Sequence, residues 1–120
     1  GDIISYSRSV ADYPSMYAAI FSIILLAVLK LNDRAYGVSI REQVRSDIGK
    51  CWSFGVIYKT LKKLGAKGFV KKRPSSPIAE RGGRSRYYYN ITPEGRSALQ
   101  EIQSIHTALW AGVRMGMYKE

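Results

Sequence analysis

The chain has 120 residues, 46% of them hydrophobic and 23% charged. That is one domain's length, enough to bury a core, and the apolar content excludes an intrinsically disordered chain. Nineteen Lys and Arg against nine Asp and Glu give a net charge of +10, which favours polyanionic partners and argues against a cationic one. A single cysteine, Cys51, excludes an intramolecular disulfide, and with one histidine there is almost no material for a transition-metal site. The expected compartment is the reducing cytoplasm. The chain begins at Gly1 rather than Met, which leaves a trimmed start or a removed leader open.

In chain order, residues 1–15 form a polar, aromatic N-terminal arm ending in Tyr13-Pro14-Ser15, with Ser15 as an N-cap. Met16 to Leu29 is apolar apart from Ser22. As a helix this run spans about 21 Å, short of the roughly 30 Å hydrocarbon core of a bilayer, so it predicts a buried central helix and no membrane partner. A helix apolar on every side must be covered on every side, and part of this one is expected to meet a second subunit. A turn at residues 31–34 leads through Tyr36-Gly37 into a second helix, from Val38 to about Ile48. Ile40, Val44 and Ile48 line its inner face, while Arg41, Glu42, Arg45 and Asp47 point away. Gly49 stops it. Ser53 is the N-cap candidate for a third helix running to about Ala66. Ile57, Leu61 and Leu64 line one face; Gly55, Lys59, Lys62 and Lys63 lie opposite. Tyr58 falls at the edge of the apolar face and is assigned to the core. Two short amphipathic helices, the second basic on its outer face, fit a helix-turn-helix.

Phe69 to Arg73 predicts a strand, broken by Pro74-Ser75-Ser76-Pro77, and Ser85 to Ile91 predicts the returning strand. Between them, Arg81 and Arg84 with the following Arg86 bracket a Gly-Gly pair. This hairpin would be a wing, and alternation along its second strand puts Tyr88 on the face opposite Tyr87 and Tyr89. Thr92-Pro93-Glu94 is a strong helix start. Leu99, Ile102, His106, Leu109 and Val113 then recur at spacings of three and four, the pattern of an interface seam. The charge is concentrated: residues 53–90 carry +9, and the remainder about +1.

The stretch from about Ile24 to Leu99 resembles the PadR-like winged helix-turn-helix transcriptional regulators. The matching pieces are Ala35-Tyr36-Gly37, the helix from Gly55 to Leu64, the Gly68-Phe69-Val70 strand entry, the wing from Glu80 to Tyr89 and Ile91-Thr-Pro-Glu-Gly95. The resemblance implies a bacterial homodimeric regulator, usually a repressor. Its third helix would read the major groove, its wing would meet the backbone or minor groove, and its C-terminal helix would pack on the other subunit. The short tail is similar to the subgroup with a single C-terminal helix. Three features depart from the pattern: Gly65-Ala66-Lys67 replaces the usual acidic stretch, the wing carries an extra Pro-Ser-Ser-Pro element, and the first helix is unusually apolar. Some members bind flat aromatic effectors near the dimer interface, which singles out Tyr17, Phe21 and Trp110 as a small-aromatic pocket if they are not simply packing residues.

The expected fold is therefore mainly α (α+β): a winged helix-turn-helix over residues 16–92 with a two-stranded wing, followed by a dimerisation helix over 93–120. The expected partner is double-stranded DNA, bound through Tyr36, Ser53, Gly55, Lys59, Thr60, Lys62, Lys63, Arg81, Arg84 and Arg86. Gly55 would let the helix backbone approach DNA; Ser53 and Thr60 would bond phosphate or base edges; the lysines would meet phosphates or guanine acceptors. Tyr36 either holds a phosphate with the free N–H groups of the second helix or is a packing tyrosine. No nucleophile–base pair, phosphate loop or paired carboxylate suggests an enzyme, and no cofactor is implied. The competing reading is a winged-helix protein-interaction adaptor without specific DNA binding.

Overall fold

The computed structural model describes residues 15–75 and 86–113, with side chains from Ala19 onward. Its elements are α1 (Ser15–Leu31), a single 3-10 turn (Asn32–Arg34), α2 (Gly37–Ile48), α3 (Phe54–Ala66), β1 (Val70–Pro74), β2 (Tyr87–Ile91) and α4 (Pro93–Trp110). This is the expected winged helix-turn-helix. The first helix begins at Ser15 itself, one residue before the predicted start.

The core forms where the apolar faces of α2 and α3 meet α1. Phe21, Ile24, Leu25, Ala27 and Val28 of α1 pack with Ile40 and Val44 of α2 and with Ile57, Leu61 and Leu64 of α3. All are essentially removed from water. Burial of each large aliphatic side chain contributes on the order of 1.5–3 kcal/mol. The inner face of α2 is shorter than its sequence period suggests, because Ile48 in the last turn is exposed. No described helix is long and apolar enough to cross a membrane.

The helix ends follow their caps. The Ser39 hydroxyl accepts from the Tyr36 N–H at 2.9 Å, tying down the start of α2. Gly49 takes a left-handed conformation (φ +71°) and its N–H returns to the Arg45 carbonyl. Ser53 Oγ accepts from the Val56 N–H at 3.2 Å, a cap worth about 1 kcal/mol. Thr92 serves two elements at once: its hydroxyl accepts from the Gly95 N–H at 3.0 Å and donates to the Gly68 carbonyl at 2.6 Å.

Strands β1 and β2 pair antiparallel, with Val70 opposite Ile91 and Pro74 opposite Tyr87. Pro74 does not break the pairing; it is the last residue of β1, where proline is tolerated. Alternation along β2 buries Tyr89 and leaves Tyr87 exposed beyond the core. Burial pushes the Tyr89 phenol above its ordinary pKa, with Tyr58 and Tyr87 adding to the shift. A one-pair bridge between Tyr36 and Tyr88 and a bond from the Tyr89 N–H to the Ala35 carbonyl dock the chain before α2 onto β2.

Candidate nucleic-acid interface

Helix α3 contains three lysines and no acid. Its outward face carries Gly55, Lys59 and Lys62, all exposed, while Lys63 is half-buried at the edge. Ser53 is exposed at the N-terminus. Among the described residues, a Cβ on Gly55 would meet nothing nearer than Ser53 Oγ at 3.6 Å. Packing among the described residues therefore does not require glycine there, although a helical glycine costs about 0.5–1 kcal/mol relative to alanine.

Thr60 is a correction. Only 6% of it is exposed, since it lies three residues after Ile57 and four before Leu64, within the arc that α3 turns inward. It packs in the core and cannot reach a groove. Tyr58 is the converse correction: 48% exposed, it stacks on Phe54 with ring centroids 6.1 Å apart. Its hydroxyl rests on Gly37, where an added Cβ would fall 1.9 Å away. Gly37 thus admits the α3 tyrosine against the start of α2.

Arg41, which the helical period turns toward water, is only half-exposed. Its Nε donates to the Trp52 carbonyl at 2.8 Å and its Nη2 to Cys51 Sγ at 3.2 Å. The guanidinium lies 4.5 Å from the centroid of the Phe54 ring. One side chain of α2 thereby holds the turn and the first residue of α3. Nothing in the helical period distinguishes Arg41 from the solvated Arg45; the signal is only that a carbonyl-rich turn follows within reach.

The Tyr36 ring is half-buried and packed, 5.5 Å from Tyr88. The exposed Arg86 places its guanidinium 4.1 Å from the Tyr36 centroid. On the far side, Arg73 covers Tyr88 at 5.1 Å. Arg73 also donates from Nε to Asn90 Oδ1 at 2.8 Å, and Asn90 Nδ2 donates to Asp33 Oδ1 at 3.1 Å. The stem of the wing is thus joined to the 3-10 turn and the start of α2 by side chains that no local sequence pattern relates. Arg81 and Arg84 lie outside the described residues.

The predicted seam of α4 divides. Leu99 and Ile102 are partly buried against the chain's own core. His106 is exposed, and Leu109 is 67% exposed. Val113 is not on the helix: α4 ends at Trp110, Ala111 leaves helical geometry (ψ 127°) and Gly112 follows at φ +81°. A groove of about 550 Å³ runs between α1 and α4, bordered by Ser22, Leu26, Leu29, Leu99, Ile102 and His106. Neither Phe21 nor Trp110 borders it. Phe21 is consumed by the core at 3% exposure, Trp110 is half-exposed at the helix end, and the Tyr17 side chain lies outside the described residues.

The sequence profile described as "Transcriptional regulator PadR-like family" matches residues 25–101. Among solved structures, the chain is similar to a PadR family transcription regulator from hypervirulent Clostridium difficile R20291. The two share 30% identity over 78% of this chain and 92% of that one, with a TM-score of 0.61. It is also similar to smu.1704 from Streptococcus mutans UA159, at 26% identity over 90% and 97% of the two chains and a TM-score of 0.63. A PadR-like transcription factor from Bacteroides fragilis shares the fold, with a TM-score of 0.71 at 21% identity over 82% of this chain and 90% of that one. No curated protein matches the chain.

Proposed function

Given that the chain belongs to the transcriptional regulator PadR-like family, we propose that it represses transcription as a homodimer bound to a pseudo-palindromic operator. The observation that carries this reading is the acid-free outward face of α3, with Gly55, Lys59 and Lys62 exposed together on the helix that follows a capped, clamped turn. This helix enters the major groove, with Lys63 at its edge, and Ser53 keeps a hydroxyl proton for a phosphate after capping its helix. Tyr36, Arg86 and the wing arginines Arg81 and Arg84 meet the flanking backbone or minor groove. A dimer seats two such helices about 34 Å apart, and occupancy of a promoter by the dimer excludes polymerase.

The dimer forms through α1 and α4. A second copy covers Leu109 and the groove beside Leu26 and Leu29, which one chain leaves open to water. A flat aromatic effector would enter that groove and loosen the pairing; this moves the effector site away from Phe21. Trp110 fluorescence during titration with planar aromatic compounds reports such binding.

A mobility-shift assay on DNA upstream of the protein's own gene, with random competitor, tests the main reading. Specific retention is expected, with affinity falling about 10³–10⁵-fold between 50 and 200 mM salt if about 6–10 phosphates are neutralised. Lys59→Ala should weaken binding and flatten the salt slope by about 1 for each phosphate that Lys59 neutralises. Featureless binding that the competitor abolishes would favour an adaptor instead.

A further inference from the structure

We propose that Tyr36 and Arg86 are one coupled DNA-contact unit, in which the tyrosine ring fixes the guanidinium so that the wing base and the start of α2 engage the duplex together. The inference rests on the DNA-binding reading above and adds a positioning role that neither residue has alone.

The geometry supports it from both ends. Arg86 immediately precedes β2 on the returning limb of the hairpin. Its backbone is locked to Ser75, with the Ser75 N–H donating to the Arg86 carbonyl at 2.8 Å and the Arg86 N–H donating to Ser75 Oγ at 3.1 Å. From this fixed root the side chain turns back over Tyr36 instead of following the strand outward. Tyr36 in turn cannot swing away. Its N–H is held by Ser39, its backbone bridges Tyr88, and its ring is braced by the Tyr88 ring, which Arg73 covers from behind. Arg73 is itself pinned by Asn90 and the Asp33 carbonyl.

The chemistry follows from the shape of a guanidinium. A guanidinium held over a ring is restrained in orientation, and its five donors form a planar fork suited to a phosphate. The Tyr36 hydroxyl sits on the same ring, and the first N–H groups of α2 have no intrahelical acceptor. Ordering the arginine before DNA arrives removes part of the entropic cost of binding. A lysine at position 86 would supply the same charge without the flat face, so charge and positioning can be separated.

The test is a double-mutant cycle on operator affinity, with a readout on the free protein. Arg86→Lys should weaken operator binding about two- to fivefold, the scale of an exposed cation–aromatic contact, with the salt slope unchanged. In a Tyr36→Leu background the same change should cost nothing further, and in Tyr36→Phe it should cost as much as in the wild type. Tyr36→Met serves as the second background should Tyr36→Leu disturb the start of α2. In the free protein, the Arg86 δ-protons should resonate upfield under the Tyr36 ring and return to ordinary positions when the ring is removed. Equal costs of Arg86→Lys in all backgrounds, or no ring shift, would overturn the coupling. A ring shift in a wild-type protein that binds no operator would instead refute the regulator reading on which the proposal stands.

Discussion

The outer face of α3 and the far half of α4 are both open to water, but they differ in kind. On α3 the outward ridge of Gly55, Lys59 and Lys62 is exposed, groups that water solvates well, beside the partly exposed Phe54, Val56 and Tyr58. The helix beneath is fixed by contacts inside its own chain: the Ser53 cap, the Arg41 clamp and the Tyr58 hydroxyl against Gly37. On α4 the exposed residues include Ile105, Leu109 and Trp110, large apolar groups beyond the part of the helix that packs on the core. Ile105 and Leu109 lie one helical turn apart, and large apolar groups left exposed as neighbours mark a contact surface. Under the proposed function, the first surface takes an anion within a single subunit and the second takes another copy of the chain.

The largest effect should come from breaking the second surface while sparing the first. Leu109→Asp places a charge on the α4 strip, at a position exposed enough that the isolated chain changes little in stability, within about 0.5 kcal/mol. Sedimentation equilibrium should show a dimer converted to a monomer. Operator affinity should fall by about 10²-fold or more, because the second half-site is no longer bound at high effective concentration. Unchanged mass with unchanged binding would place the interface elsewhere.

Next in size is a test of where α4 joins the domain. A Cβ at Gly95 would lie 2.3 Å from the Phe69 carbonyl oxygen and 2.7 Å from Ile91 Cγ1, and backbone on one side leaves no flexible group to yield. Gly95→Ala should cost about 1–3 kcal/mol, as overpacking does, read as a lowered urea midpoint at constant slope. A midpoint within error of wild type would mean that α4 can shift on the sheet.

Much of this arrangement is legible in the sequence, and the misses share a cause. Caps and periods are local, so Ser53, Thr92 and the inward row Ile57, Leu61 and Leu64 can be identified from spacing alone. Thr60 misleads because a hydroxyl suggests exposure, whereas its place in the helical turn puts it among those inward residues. Tyr58 misleads in the opposite sense: a large ring at the edge of an apolar arc is drawn outward when a neighbouring glycine makes room for its hydroxyl. Arg41 and the chain of rings from Tyr36 to Arg73 depend on contacts between residues far apart in sequence, which no periodicity records. Val113 follows the heptad arithmetic faithfully, but a helix does not continue through Ala111 and Gly112 merely because the spacing would permit it.

The smallest expected change in stability bears most directly on how α3 is used. Gly55 and Gly95 are both helical glycines, yet only Gly95 has a neighbour that demands it. At Gly55 an alanine side chain would enter ordinary contact with Ser53 Oγ and meet no other described residue. Gly55→Ala should therefore stabilise the fold by about 0.5–1 kcal/mol, through reduced backbone freedom in the unfolded chain and a better helix propensity. If the start of α3 approaches the DNA as closely as proposed, the added methyl must also push the helix outward. Operator affinity should then drop while the urea midpoint rises, with the salt slope preserved because no phosphate contact is removed. Stability and binding moving in opposite directions is the signature of a glycine kept for a partner; a variant that is both more stable and equally tight would show that this turn of α3 stands clear of the groove.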